Sequence, residues 1–150
     1  MKVAVACDHG GYPLKAGVIE ELRGLGHEVT DLGGDGSNPL DDYPDYAEAV
    51  AEAIRAGQAE RAVLICGSGA GASVAANKFR GIRAATCHDS FSARQCVEDD
   101  DVNVLCLGAR VVGPSLASEL VRDYISARFS GAERHRRRVG KIAGFEANFK

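Results

Sequence analysis

The sequence has none of the cysteine and histidine spacings that hold metal ions or build disulfide frameworks. Its five cysteines are an odd number and include no C-x-x-C pair, so neither a disulfide framework nor a zinc knuckle is indicated. Its four histidines show no H-E-x-x-H or similar spacing, so no metal site is predicted. We therefore expect free thiols in a reducing compartment.

Long apolar runs are also missing. No run approaches the ~20 residues that a membrane-spanning helix needs, and the apolar stretch after Met1 is too short for the hydrophobic region of a signal peptide. The formal net charge of -3 argues against a nucleic-acid binder in general. These absences predict a cytoplasmic protein that binds neither membranes nor nucleic acids.

What the sequence does contain is a regular alternation of short apolar runs and helical patterns. With 150 residues, 45% of them hydrophobic, the chain is long enough for one domain and too short to expect two. Runs rich in Val, Ile, Leu and Ala between helices are typical of a parallel sheet covered on both faces. The prediction is an α/β fold: a three-layer α/β/α Rossmann-like single domain over 1–150, with a mostly parallel sheet of about five strands and a C-terminal helical tail.

The apolar pattern and the turn residues also predict element boundaries. Strands are predicted over 2–7, 28–32, 61–65, 83–87 and 102–107. A helix that begins at Pro114 is expected to carry inward Leu116, Leu120, Tyr124 and Ile125. The loop 33–44, rich in Gly, Asp, Asn and Pro, is the one candidate for a mobile lid.

The C-terminal segment 130–150 is predicted to be a basic turn followed by a short helix. The apolar residues of that helix fall on one side, at Val139, Ile142, Phe145 and Phe149. This much apolar surface must pack on something. The alternatives are the chain's own domain and a partner subunit.

The most informative segment is the run CGSGAGAS from Cys66 to Ser73, directly after a predicted buried strand. The carboxyl end of such a strand is where an open α/β sheet presents its ligand. Glycines let the main chain approach an anion, and the helix expected near Ala72 adds its positive end. Such surroundings favour a reactive thiolate at Cys66. The alternative is a connecting turn with a buried cysteine as apolar filler.

Three other motifs place a glycine-rich turn between a strand and a helix. Gly67-x-Gly69-x-x-Ala72 fits a loose dinucleotide fingerprint, with Asp89 at the distance of a ribose-binding acid. The helix between them would be short, so the match is weak, but a nucleotide-binding module stays open as an alternative of another class. A phosphate P-loop is excluded because no Gly-Lys-Ser/Thr closes the turn. A nucleophile elbow is excluded because Cys66 stands where that motif needs a glycine.

Polar side chains follow several predicted strands at the same edge of the sheet. Asp8 and His9 follow the first strand as Cys66 follows the third, and the tail adds arginines, which together predict a site for a small anion. With these residues the chain resembles the ribose-5-phosphate isomerase B family, which includes the galactose-6-phosphate isomerase subunits. The stretches that carry the resemblance are Asp8-His9-Gly10-Gly11, Asp42-Tyr43-Pro44, Cys66-Gly67-Ser68-Gly69, Ala75-Ala76-Asn77-Lys78, Gly81-Ile82-Arg83-Ala84, Asn103-Val104-Leu105, Gly108-Ala109-Arg110 and Arg134-His135.

The resemblance implies an aldose–ketose isomerase of phosphorylated sugars that needs no cofactor and no metal and works through an enediolate. Cys66 is then the catalytic base, and the Ser68 hydroxyl helps to move protons between the two substrate oxygens. Main-chain amides stabilise the enediolate as an oxyanion hole does. Those expected to do so belong to Gly67, Gly69, Ala70 and Gly71.

The resemblance also implies how the substrate is held. Two arginines, Arg134 and Arg138, would bind the phosphate, and the further donors would be His9, His135 and, as a weaker candidate, Arg110. Asp8 and Tyr43 would contact sugar hydroxyls. In this family the tail reaches the neighbouring subunit's site, so a homodimer or a dimer of dimers with shared active sites is implied. For the basic cluster 134–138, a solvated turn is the alternative, and the lack of interleaved aromatics disfavours nucleic acid.

One departure from the family pattern affects the expected substrate. The family commonly carries His-Asn just before the Asn-Val-Leu strand, and that histidine opens the sugar ring; here the positions are Asp99 and Asp100. Either Asp99 acts as the general acid, kept protonated by its acidic neighbours, or the substrate needs no ring opening. A tetrose phosphate cannot close a furanose ring, so a shifted substrate range is the second hypothesis.

Overall fold

The structure, a computed structural model, describes residues 1–149 as strands and helices that alternate along the chain. The elements are β1 (Lys2–Cys7), α1 (Tyr12–Gly24), β2 (Glu28–Asp31), α2 (Tyr43–Arg55), β3 (Arg61–Cys66), α3 (Ala70–Ala76), β4 (Ala84–Thr86), α4 (Ser90–Asp100), β5 (Val104–Gly108), α5 (Pro114–Ser126) and α6 (Glu133–Glu146). Among these residues, no helix combines the length and the apolar character that crossing a membrane takes.

The five strands form one parallel sheet in the order β2-β1-β3-β5-β4, so the predicted parallel α/β fold is confirmed. Alternate side chains of each strand face opposite layers. In β1, Val3 and Val5 pack in the cluster covered by α1, α4 and α5, whereas Ala4 and Ala6 pack in the cluster covered by α2 and α3. The result is three layers with an apolar core on each face of the sheet.

The strand order creates a crevice at one edge of the sheet. The chain leaves β1 through α1 toward β2, but it leaves the neighbouring strand β3 through α3 toward the opposite side. Open α/β sheets bind ligands at such a reversal, outside the carboxyl ends of the two strands. Here Asp8 follows the end of β1, and Cys66 is the last residue of β3. Both residues were predicted from the sequence as site residues.

Some predicted boundaries were wrong. The helix α2 begins at Tyr43, with Pro44 in its first turn, so the preceding loop is shorter than 33–44. Leu116 is 37% exposed because the next residue, Ala117, takes the buried position on α5. The basic run is not a turn: it lies in the first turns of α6, because Ser130 and Gly131 end the preceding segment and helix-favouring arginines follow.

Candidate active site

A cavity of about 320 Å³ opens at the crevice between the ends of β1 and β3. We call it the strand-end cavity. Its walls come from the turns after β1, β3 and β5 and from the start of α2. The lining residues are Asp8, His9, Gly10, Tyr43, Cys66, Gly67, Ser68, Gly71, Arg110 and Val111.

Cys66 is the last residue of β3, is 5% exposed, and lines this cavity. The main-chain N–H of Gly69 donates to its sulfur at 3.0 Å. Gly69 can make this turn because its φ of 82° lies in the left-handed region, and an added Cβ would lie 3.0 Å from Thr86 Cγ2. A donated N–H favours a thiolate over a thiol, so the turn suits a sulfur that becomes anionic.

The other thiols are buried away from this cavity. Burial raises the pKa of Cys7 to about 12, and burial likewise raises the pKa of Cys106. Within residues 1–149, Cys66 is the one cysteine that lines the strand-end cavity. The chain therefore offers one thiol with both access to a ligand and a donor aimed at its sulfur.

Ser68 and Tyr43 complete the wall on the side of α3. The Ser68 hydroxyl is exposed, and its oxygen accepts the N–H of Ala70 at 3.2 Å. The Tyr43 ring lies against Gly71, where an added Cβ would come within 2.8 Å of Tyr43 Cζ. Glycine at this position lets the tyrosine of α2 approach the first turn of α3.

The opposite wall comes from the turn after β1. Asp8 is buried, and its Oδ1 accepts the N–H of Gly11 at 2.9 Å. Gly11 must be a glycine, because an added Cβ would lie 2.2 Å from the carbonyl oxygen of Ile65 in β3. This close crossing of two chain segments holds the Asp8 carboxylate at the edge of the cavity.

His9 is held by Asp41, a residue that the sequence interpretation missed. Asp41 Oδ1 accepts the main-chain N–H of His9 at 3.0 Å and lies 2.5 Å from His9 Nδ1. Its Oδ2 accepts the Tyr46 hydroxyl at 2.8 Å. Burial acts to raise the pKa of Asp41, but the hydrogen bonds from His9 and Tyr46 outweigh it and lower the pKa. Asp41 directly precedes the motif Asp42-Tyr43-Pro44, and this position was the one signal in the sequence that could have pointed to it.

Among residues 1–149, Asp8, His9 and Asp41 form the one group of three candidate ligands close enough together to hold a cation. One ligand atom from each lies within 4.8 Å of the others. The short His9–Asp41 contact is, however, a hydrogen bond that accounts for their closeness without an ion.

The remaining predicted site residues lie outside the strand-end cavity of their own chain. Five of them sit on α4 and α6 and form what we call the α4–α6 cluster: Asp99, Asp100, Arg134, His135 and Arg138. Gln95 donates to Asp99 Oδ2 at 2.7 Å, and Asp99 Oδ1 lies 3.5 Å from His135 Nε2. The arginines of the cluster are exposed, whereas His135 is buried.

His135 is tied into the cluster on both ring nitrogens. Its Nδ1 lies 2.6 Å from the Ser130 hydroxyl, and Arg134 Nε donates to its Nε2 at 3.1 Å. Asp100 lines a neighbouring groove together with the apolar side chains Ile142 and Phe145 of α6. The sequence predicted one site, whereas the single chain places the predicted residues in two groups, the strand-end cavity and the α4–α6 cluster.

Two polar residues after β4 have structural partners. His88 Nε2 accepts the N–H of Gly108 at 3.0 Å, and burial lowers the pKa of His88. The Asp89 carboxylate caps α4 by accepting the N–H of Ser92 at 2.8 Å. Asp89 is thus engaged at the helix start rather than held out for a ribose, and α3 is only 7 residues long. Both facts weigh against the nucleotide-binding alternative.

Comparison with known proteins gives a consistent result. The family model described as Ribose/Galactose Isomerase matches residues 3–142. Ribose-5-phosphate isomerase B of Escherichia coli is 43% identical over 145 residues, covering 97% of this chain and 96% of the relative. D-erythrulose-4-phosphate isomerase of Pectobacterium atrosepticum is 41% identical over 133 residues, covering 87% and 86%. The solved structure of Clostridium thermocellum ribose-5-phosphate isomerase B has a TM-score of 0.95 and 47% identity, with both chains fully covered.

Proposed function

The chain belongs to the ribose/galactose isomerase family and is a sugar-phosphate isomerase, and from this membership we propose that it interconverts an aldose phosphate and a ketose phosphate of the ribose 5-phosphate to ribulose 5-phosphate type. The reaction runs through an enediolate, with Cys66 as the base. The Cys66 thiolate removes a proton from the carbon beside the carbonyl, and the thiol then returns the proton one carbon away.

The observation that carries this proposal is the Cys66 sulfur in the cavity wall with the Gly69 N–H at 3.0 Å. The donor stabilises the thiolate before proton transfer. The N–H of Gly71, in the first turn of α3, has no partner within the helix and is available for an enediolate oxygen. The N–H groups of Gly69 and Ala70 are engaged by Cys66 Sγ and Ser68 Oγ. Each well-placed donor is worth on the order of 3 kcal/mol in the transition state.

The Ser68 hydroxyl and two side chains opposite it complete the substrate contacts. Ser68 Oγ carries a proton between the neighbouring substrate oxygens, since it is exposed in the cavity next to Cys66. Asp8 and Tyr43 bind sugar hydroxyls from the two walls.

In this proposal the phosphate group of the substrate is bound by side chains from two subunits. In the cavity itself, His9 and Arg110 are the cationic or donor groups. Arg134 and Arg138 of the α4–α6 cluster serve the neighbouring subunit's cavity, since they do not line their own. His135, which was predicted as a phosphate donor, is buried and bonded on both ring nitrogens, and it supports Arg134 by accepting from its Nε. The helix α6 contacts its own chain, where Glu146 accepts the N–H of Gly81 at 3.0 Å. Its outer face then packs on the partner, which covers Ile142 and Phe145, 41% and 65% exposed in the single chain. The assembly is a homodimer or a dimer of dimers.

Mixing two inactive variants tests the shared site. Cys66→Ala removes the base, and Arg138→Ala removes the phosphate contact. After random reassortment of equal amounts, about half of the dimers are heterodimers. If sites are shared, one of the two sites in each heterodimer carries neither substitution, so mixing restores about a quarter of the wild-type activity. No gain on mixing would mean that each chain builds its own site.

A tetrose phosphate is the second candidate substrate, favoured by the contacts of Asp99. Its Oδ2 is engaged as the acceptor of the Gln95 amide at 2.7 Å, and the sequence carries no histidine at this position. Without a donor for ring opening, a substrate that stays open-chain is preferred. Relatives that act on D-erythrulose 4-phosphate occur at 41% and 36% identity.

The test is a panel of tetrose, pentose and hexose phosphates assayed for aldose–ketose conversion in the presence of a chelator. Turnover of ribose 5-phosphate supports the first proposal. A higher kcat/KM for erythrose 4-phosphate than for ribose 5-phosphate supports the second, and a large preference for the pentose removes it. No conversion of any member would contradict both.

A further inference from the structure

Asp41 joins three segments that build one wall of the strand-end cavity. It belongs to the loop after β2, it accepts from His9 in the turn after β1, and it accepts from Tyr46 on α2, the helix that also carries Tyr43. Its side chain is 11% exposed. Neither Asp41 nor Tyr46 lines the cavity itself.

The loop that carries Asp41 is anchored at its other end as well. Cys7 donates its N–H to the Gly33 carbonyl at 3.2 Å, and Gly34 lies so close to β1 that an added Cβ would be 1.8 Å from the Cys7 carbonyl oxygen. The loop is thus fixed to the end of β1 and to the start of α2.

The contact between Asp41 and His9 determines which ring nitrogen of His9 carries the hydrogen. A carboxylate accepts but does not donate, so the nitrogen beside it, Nδ1, must carry the hydrogen. Nε2 is the other ring nitrogen, and His9 lines the cavity. Each oxygen of Asp41 has its own partner: Oδ1 contacts His9, and Oδ2 accepts the Tyr46 hydroxyl.

We propose that Asp41 is a positioning residue, whose carboxylate fixes the His9 ring with Nδ1–H toward the loop and Nε2 toward the cavity, where it meets a phosphate or sugar oxygen of the substrate. The inference about substrate rests on the proposed function, whereas the inference about the ring does not. The hydrogen bonds that keep Asp41 ionised are consistent with it, since they lower the pKa of this carboxyl although burial opposes them. The role matches the carboxylate that orients a histidine in many enzymes.

The test reads the His9 tautomer directly. In ¹⁵N-labelled full-length protein at alkaline pH, two-bond ¹H–¹⁵N correlations distinguish Nδ1–H from Nε2–H, and the His9→Gln spectrum assigns the ring. We expect Nδ1–H in the wild type. In Asp41→Ala we expect a shift toward the Nε2–H form that unrestrained imidazoles favour. A wild-type ring with Nε2–H would overturn the proposal, and this measurement needs no Asp41 variant to fold.

Kinetics separate positioning from a merely structural role. Asp41→Ala is expected to raise KM about tenfold, the loss expected for a hydrogen bond to a charged group, with kcat changed far less. The matched control is Asp35→Ala, which removes a carboxylate from the same loop that bonds only to Ser37. Equal KM values for the two variants would contradict the proposal. If the tautomer shifts but no sugar phosphate is converted, the positioning of His9 stands and the proposed function fails.

Discussion

The ring of Tyr43 lies directly over Gly71, so that a Cβ on Gly71 would come within 2.8 Å of Tyr43 Cζ. We predict that Gly71→Ala pushes Tyr43 out of the cavity wall and lowers kcat/KM about tenfold, equivalent to about 1.4 kcal/mol. Steady-state kinetics with the preferred sugar phosphate measure the change.

The control is Gly17→Ala, in α1, where an added Cβ meets nothing within 4 Å. This change is expected to leave kcat/KM as it is and to raise the free energy of unfolding by about 0.5–1 kcal/mol, because alanine loses less conformational entropy in a helix. If both glycine variants have the same kinetics, Tyr43 does not contact the substrate.

Thiol labelling tests whether Cys66 is the accessible reactive cysteine. We predict that iodoacetamide at pH 8 modifies Cys66 of the folded protein well before Cys7 or Cys106, since burial raises the pKa of both of the latter thiols. Peptide mapping by mass spectrometry follows each site. Inorganic phosphate or substrate should slow labelling of Cys66. Modification of Cys106 first would contradict the assignment.

The sequence predicted the sheet and the edge at which the chemistry lies, because both follow from local pattern. The continuous apolar runs of β1 and β3 are visible in the sequence. Parallel strands bring their carboxyl ends to one edge of the sheet whatever the loops do. Cys66 and Asp8 were found in this way.

The contact between His9 and Asp41 had no local signal, since 32 residues separate the two. It depends on how the loop after β2 packs, which Gly34 decides by its approach to Cys7. The α4–α6 cluster shows a second limit: Asp99 and His135 come together through packing of two helices, and the single chain does not bring them to Cys66. Local patterns do not encode that separation.

His88 predicts a pH dependence of stability. Burial lowers its pKa below the usual value of about 6.5, so the folded state binds fewer protons than the unfolded state as the pH falls below that value. Its stabilising contribution is therefore complete above about pH 6.5 and is lost as the pH falls through the folded-state pKa. Tm should fall from pH 7.5 to 5.

The matched variant is His88→Gln, which keeps an acceptor for the Gly108 N–H but does not titrate. Its Tm should depend less steeply on pH over the same interval. A residual slope is expected from His27, whose pKa is also lowered by burial. Parallel curves for the wild type and His88→Gln would show that His88 contributes nothing to the slope.

Asp99 is expected to limit activity on substrates that must open a ring. We predict that Asp99→His raises the ratio of kcat/KM for ribose 5-phosphate to that for erythrose 4-phosphate, because an imidazole can donate a proton to the ring oxygen. Glu98→His places the same group one residue away on α4 and should leave the ratio unchanged. Equal ratios in the wild type and Asp99→His would mean that residue 99 does not take part in ring opening.

The removal of a proton by Cys66 is tested most directly by comparing turnover and phosphate binding in Cys66→Ala. We predict that kcat falls by about 10³-fold or more, while the rise in Tm produced by inorganic phosphate stays at its wild-type size. Cys96→Ala, which removes a buried thiol outside the cavity, should keep its activity. Turnover by Cys66→Ala close to that of the wild type would contradict the assignment of the base.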